Sequence, residues 1–226
     1  MALTKVSSET VKKQGVLAAE EVNQNGLYLF MKRLMDMFGA LCGIILLSPV
    51  FIIVAILIKL EDPKGPVFFK QTRVGKDGKE FGMYKFRSMV TDAEERLKDL
   101  LQHNEVSGAM FKMKEDPRVT KIGKFIRKTS IDELPQLINV LKGDMSLVGP
   151  RPPLPREVKE YTSYDKQRLL VIPGCTGLWQ VTERNSVGFA EMVELDLEYI
   201  RNRNIFYDMK IILKTVKVLL GSNNAF

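Results

Sequence analysis

The sequence predicts an α+β fold: a small, mostly helical domain with a short β-hairpin, held at a membrane by a broken apolar helix and by interfacial amphipathic helices. Three observations predict it. No charged residue occurs from Met37 to Ile58, a run of 22 positions. Two β-rich stretches flank Lys76-Asp77-Gly78, a turn sequence. Apolar residues then recur at helical spacing in two later segments, Leu134-Leu137-Ile138-Leu141 and Phe206-Met209-Leu213-Val216-Leu220.

The first 26 residues are polar apart from short apolar patches and read as a mobile leader or a surface helix. Residues 27–60 form the membrane element. On length the apolar run would cross a bilayer, but Ser48-Pro49 lies near its middle. The proline removes one backbone hydrogen bond, and Ser48 is placed to satisfy the carbonyl set free. Lys32 and Arg33 precede the run; Lys59, Lys64, Lys70 and Arg73 follow it, so basic residues give it no preferred direction. The leg from Pro49 to Leu60 would be about 18 Å long at ~1.5 Å per residue, short of a ~30 Å hydrocarbon core. A helix-break-helix that re-enters the leaflet it came from fits both features; a kinked spanning helix is the simpler alternative.

Residues 61–226 hold the rest. The hairpin runs through PVFFKQTRVGKDGKEFGMYKFRSM, with Gly75, Gly78 and Gly82 as turn residues rather than a phosphate loop. Lys85 and Arg87 alternate with Tyr84 and Phe86, so the two cations share one strand face, either solvated or clamping a diphosphate. A charged helix spans Thr91 to about Gln102. The next helix has an apolar face of Ile122, Phe125 and Ile126, and its cations Lys121, Lys124, Arg127 and Lys128 lead to Asp132-Glu133. Ser130 to Glu133 reads as a capping box, which accounts for Glu133 but not for Asp132, projected opposite the Leu134 stripe beside Gln136 and Asn139. MSLV is a short strand, Arg151 is held between prolines, and PGCTG is a turn beside Trp179, whose packing accounts for it. The last helix interleaves Lys210, Lys214 and Lys217 with its apolar face. Such a helix lies at a membrane interface or packs on the domain.

A chain of 226 residues with net charge +7 and 45% hydrophobic residues builds one domain, and its basic surplus suits an anionic partner. Cys42 and Cys175 have no metal spacing, and Cys42 sits in the apolar run, which fits a reducing compartment. The only histidine, His103, excludes a multi-histidine metal site; it lies in a polar run that reads as surface, so serine–histidine chemistry is not expected, and cysteine–histidine chemistry would need Cys175 beside it.

Ser48-Pro49, KFRSM, DPRVT, SIDELPQLINVLKGDMSLVGPRP and PGCTGLWQV occur in the order seen in the bacterial monotopic phosphoglycosyl transferases. The chain resembles that family from about Phe30 to Phe226. The resemblance implies a catalytic unit without the large membrane bundle of some members. It implies transfer of sugar-1-phosphate from a UDP-sugar, glucose or galactose favoured, to undecaprenyl phosphate. Asp132 would attack the β-phosphate, UMP would leave, and a phosphosugar-aspartate would be resolved by the lipid phosphate. Glu133 would bind Mg²⁺; Arg127 and Arg151, then Lys85, Arg87 and Arg118, would contact phosphate or nucleotide. The implied setting is the cytoplasmic face of the bacterial inner membrane, in exopolysaccharide or capsule assembly. Implied partners are downstream glycosyltransferases and a second copy of the chain, with no nucleic acid. Two other classes remain at this point: a metal-dependent glycosyltransferase releasing UDP, although no Asp-x-Asp motif occurs, and a non-enzymatic membrane-surface adaptor, which would leave Asp132 idle.

Overall fold

The computed structural model describes residues 17, 22–100, 113, 115–182 and 188–221. His103 and most of the leader lie outside them. Leu17 and Val22 are described and buried among Val193, Leu197 and Ile200.

Helix α1 (Gly26–Glu61) starts at Asn25, whose side chain accepts from the amides of Leu27 and Tyr28. It stays helical through Pro49, so the expected interruption is not a loss of helix. Pro49 cannot donate to the carbonyl four residues earlier, that of Ile45. The Ser48 hydroxyl donates to it instead at 2.8 Å, which keeps the helix continuous. Apolar side chains along the middle of α1, among them Leu41, Ile45, Leu46, Ile52 and Ile53, face outward.

Both ends of α1 are tied to the same body. Near its start Lys32 pairs with Asp208 at 2.9 Å, Arg33 donates to the carbonyls of Val140 and Leu141, and Asp36 accepts from Ser146 and the Leu147 amide. Near its end Val54 and Ile58 pack with Phe86 and Ile126, and Glu61 accepts from the amides of Lys121 and Ile122.

Strands β1 (Phe68–Val74) and β2 (Glu80–Phe86) pair antiparallel around the expected turn, where Asp77 and Gly78 take positive φ (56° and 77°). Helix α2 (Ala93–Leu100) follows. Helix α3 (Lys121–Lys128) is capped by Thr120, which accepts from the Gly123 amide. A single 3-10 turn over Ile131–Glu133 leads to α4 (Gln136–Lys142), which ends on Gly143 at φ 89°.

Strand β3 (Ser146–Val148) pairs in parallel with β4 (Gly174–Thr176), so PGCTG is a strand where the sequence read as a turn. Between them lie α5 (Pro155–Lys159) and a 3-10 segment at Asp165–Leu170. After β4 come α6 (Leu178–Thr182), α7 (Phe189–Asn202) and α8 (Ile205–Gly221). The main core joins α7 and α8 to Val148, Val171 and Leu178.

Two amphipathic faces differ from the sequence reading in where they point. In α4 the leucine stripe is only half-buried, while Asp132, Gln136 and Asn139 on the other side are buried. Asn139 accounts for this: its amide accepts from the Tyr84 N–H and donates to the Gly82 carbonyl, stitching α4 to β2 through the polar face. In α8 the buried side carries Asp208, Ile211 and Thr215, the last bonded to Thr176 at 2.8 Å. The apolar side is turned out, with Phe206 88% and Leu213 66% exposed between Lys210 and Lys214. Of the two sequence alternatives for this helix, the domain takes the polar-centred face and leaves the apolar one uncovered.

Candidate active site

Asp132 and Glu133 sit in the 3-10 turn between α3 and α4. The capping box does not form. Ser130 is left-handed (φ 57°) and its side chain makes no cap hydrogen bond, while Glu133 turns to Lys85. A left-handed serine costs of order 1 kcal/mol or more. Here it reverses the chain between two helices and turns Asp132 inward against β2.

The result is a compact charge cluster. Lys85 Nζ, from β2, lies 2.7 Å from Glu133 Oε1 and 3.8 Å from Asp132 Oδ2. Asp132 is 7% exposed. Burial is the dominant influence on its carboxyl and pushes it up to about 6; Lys85 and Arg127 pull the other way, and Glu133 adds to the rise. The sequence suggested that cations and a helix dipole would keep this acid strongly ionised. Desolvation outweighs them, and a 3-10 turn supplies less dipole than the start of a long helix.

Beside the cluster is a small, open-sided cavity. Lys85, Glu133 and Gln136 line one part; Arg73, Arg151, Cys175 and Gln180 line the rest. Three cations face one carboxylate there, so the cavity favours anions. Arg151 is carried on a proline-rich loop whose carbonyls are all held. Pro150 accepts from the Gly174 amide, Arg151 from Arg168, Pro152 from Arg73 and Pro153 from the Val74 amide. Arg168 is in turn fixed by a buried ion pair with Asp196 at 2.6 Å. Burial pushes the Cys175 thiol well above its ordinary value, so it is not a thiolate nucleophile.

Of the residues singled out from sequence, Lys85, Asp132, Glu133 and Arg151 meet at this cavity or its edge, and Arg127 is close enough to bias Asp132. Arg87 and Arg118 are held elsewhere. Arg87 points back to α1, bonding the side chain and carbonyl of Asp62. Arg118 is buried against Asp116 at 2.6 Å and the Ala93 carbonyl. Both read as scaffold rather than phosphate ligands. Ser48 and Pro49 lie on α1, in its outward-facing middle. Sequence reasoning missed Arg73 and Gln180, and placed Gln136 beside Asp132 without giving it a role. Arg73 was counted only as a flanking cation, and nothing in its local pattern separates a buried strand arginine from a solvated one.

Known proteins resemble this chain along most of its length. Residues 27–222 match the family described as bacterial sugar transferase. The chain is 54% identical over 199 residues to the galactosyl transferase CpsE of Streptococcus agalactiae, covering 88% of this chain and 44% of that protein. It is 45% identical to the undecaprenyl-phosphate galactose phosphotransferase of Salmonella typhimurium, over 87% of this chain and 42% of the relative. With the exopolysaccharide production protein ExoY of Rhizobium meliloti it shares 39% identity, over 86% of this chain and 88% of that protein. The chain thus spans less than half the length of the first two relatives. A match from the start of α1 to the end of α8, taking in the charge cluster and its cavity, means that the chain belongs to the bacterial sugar transferase family.

Proposed function

We propose that the chain transfers sugar-1-phosphate from a UDP-sugar to undecaprenyl phosphate and releases UMP, through a covalent phosphosugar on Asp132. The observation that carries this reading is the buried Asp132 carboxylate, set between Lys85 and Arg127 at the edge of a cationic cavity. In the first step an Asp132 oxygen attacks the β-phosphorus, and the bond from that phosphorus to the bridging oxygen breaks. UMP leaves with that oxygen. In the second, an oxygen of the lipid phosphate attacks the same phosphorus and the carboxylate departs. No proton transfer to or from the reacting phosphorus centre is required, so the step needs no histidine. Lys85 and the arginines neutralise the charge that moves toward UMP.

Mg²⁺ is part of the reading. Glu133 lines the cavity and adjoins Asp132, giving two hard oxygen donors where a diphosphate would lie; Mg²⁺ takes one or two carboxylates when phosphates and water complete its shell. Among the described residues no cluster of three potential ligands forms a closed protein cage, which suits a metal shared with substrate. Glu133 would hold the ion, which when bound supplies further charge neutralisation at the diphosphate.

The attachment of both ends of α1 to one body supports the re-entrant reading, since a helix crossing the bilayer would carry one end away. The exposed apolar face of α8, flanked by lysines, suits an interface with anionic lipid. Together they support a site at the cytoplasmic face, where a lipid phosphate would reach it. The names of two relatives specify galactose, which favours UDP-galactose over UDP-glucose as donor.

The test is donor without acceptor. Enzyme incubated with UDP-galactose and Mg²⁺ but no lipid should release up to one UMP per site and gain the mass of a galactose phosphate on the peptide bearing Asp132. Asp132→Asn should show neither. Release of UDP in the complete reaction would establish direct glycosyl transfer instead.

A further inference from the structure

Arg73 is 5% exposed, yet it forms no ion pair with a carboxylate among the described residues. Its partners are neutral acceptors. Nε and Nη2 donate to Gln71 Oε1 at 3.2 and 2.7 Å, and Nη1 donates to the Pro152 carbonyl at 2.9 Å. A guanidinium has five N–H groups, so these contacts leave two uncommitted. Burying a cation without a counter-charge is costly. Desolvation, with Arg151 close by, pushes Arg73 down to about 10, which still leaves it charged at neutral pH. The same side chain lines the cavity together with Arg151. The two arginines come from different segments, and the Arg73–Pro152 bond holds those segments together. On the other side of the cavity the counter-charge is already present, because Lys85 lies against Glu133 and Asp132. Glu157 and Glu133 act on Arg73 only from a distance, Glu157 accepting from the Leu154 amide and Glu133 pairing with Lys85, so the arginine side lacks a bonded anion.

We propose that Arg73 and Arg151 form a paired-guanidinium subsite for the 5′-phosphate of the nucleotide, the phosphate that departs with UMP, and that Arg73 contacts it directly. The inference rests on the reading of the chain as a UMP-releasing transferase and adds to it a ligand contact from β1. A tetrahedral phosphate dianion offers oxygens to both forks at once and supplies the missing counter-charge. Arg73 then serves two purposes: it anchors the Pro152 carbonyl with one donor and grips phosphate with its uncommitted ones.

The experiment is equilibrium binding of UMP and of uridine to the full chain in lipid nanodiscs. Arg73→Met should weaken UMP by about tenfold or more, the scale of a charge-assisted contact, and leave uridine unchanged. Arg73→Lys, which keeps the charge and one donor, should fall between Arg73→Met and wild type. Where Arg73→Met does not fold, Arg73→Lys decides: UMP affinity equal to wild type overturns the subsite. An equal loss for UMP and uridine also overturns it, since Arg73 would then act only by holding the Pro-Arg-Pro loop. If wild type binds no UMP while releasing UDP from a UDP-sugar, the underlying reading fails, and the subsite with it.

Discussion

Replacing Asp132 with asparagine should stabilise the protein while abolishing transfer, and the size of the effect should depend on pH. Asp132 has a carboxyl pushed up to about 6 by burial, against an ordinary value of 3.8. An acid raised in the folded state favours folding while it is protonated, and that contribution is lost as pH rises through the folded value. The ionised carboxylate therefore destabilises the wild type increasingly between pH about 4 and about 6, with a constant penalty above. The gap of roughly two pH units corresponds to about 3 kcal/mol at ~1.4 kcal/mol per unit. Asparagine has the same shape and no charge, so Asp132→Asn should match wild type near pH 4 and exceed it by about 3 kcal/mol at pH 7.5. For a chain of this size that is about 6–12 °C in melting temperature. Thermal unfolding in nanodiscs, followed by Trp179 fluorescence at both pH values, measures it. A variant no more stable than wild type at pH 7.5, or equally stabilised at both, would refute the claim that desolvation governs this carboxylate.

The same shift predicts that acceptor-free UMP release falls about tenfold for each pH unit below 6 in wild type, which a stopped assay from pH 4.5 to 8 would trace. Glu133→Gln should remove turnover at any Mg²⁺ concentration while shifting the melting temperature little, because its pair with Lys85 is partly exposed and the capping role is absent; a variant that is destabilised yet keeps Mg²⁺-dependent turnover would reverse that assignment. Lys32→Met should cost about 3–5 kcal/mol, since it strands Asp208, which is 0% exposed, without its cation; unchanged stability by thermal melt would show that the Tyr28 and Tyr199 hydroxyls suffice. Gly123→Ala puts a methyl 1.9 Å from the Ser88 carbonyl oxygen and should be severely destabilising, whereas at Gly82 the obstruction is the mobile end of Lys70, 1.8 Å away, and Gly82→Ala should fold normally. Cysteines introduced at Gly26 and Lys64 should both label only from the cytoplasmic side if α1 is re-entrant; external labelling of the first defeats that topology.

Much of this architecture was legible because it is local. The hairpin turn follows from Lys76-Asp77-Gly78, where backbone preference alone selects positive φ. The Ser48–Ile45 bond follows from what a proline removes and what a neighbouring hydroxyl can replace. Helix α4 was legible in period but not in direction. Its leucines mark a stripe, yet what covers them is α1, while Asn139 draws the polar side onto β2. Strand β4 was missed because three residues carry no period and its partner is far along the chain. Gly174 is explained only by the contact, where a Cβ would stand 2.0 Å from the Gly149 nitrogen. At the site, the dyad was visible from its oddity as adjacent acids. The Arg168–Asp196 pair that steadies Arg151, and Arg73 itself, join residues with no sequence relation and leave no local mark.

The attachment of α1 at both ends also bears on the order of assembly. Lys32 and Asp208 are 176 positions apart, so during synthesis the membrane helix emerges long before its buried counter-ion exists. Until α8 has been made, Lys32 lacks its counter-ion, and Ala40 must wait for Val140 and Met145 to cover it. The start of α1 around Lys32 can therefore settle only when α8 arrives, its stretch from Arg33 to Ala40 when α4 and β3 are made, and its second half as soon as the hairpin and α3 exist. Chains truncated before Asp208 should insert in the membrane, bury Ile58 and Phe86, and yet remain susceptible to proteases around Lys32. On that view α1 is a template on which the rest of the domain closes from its middle outward, and the residues at its start are among the last to find their partners.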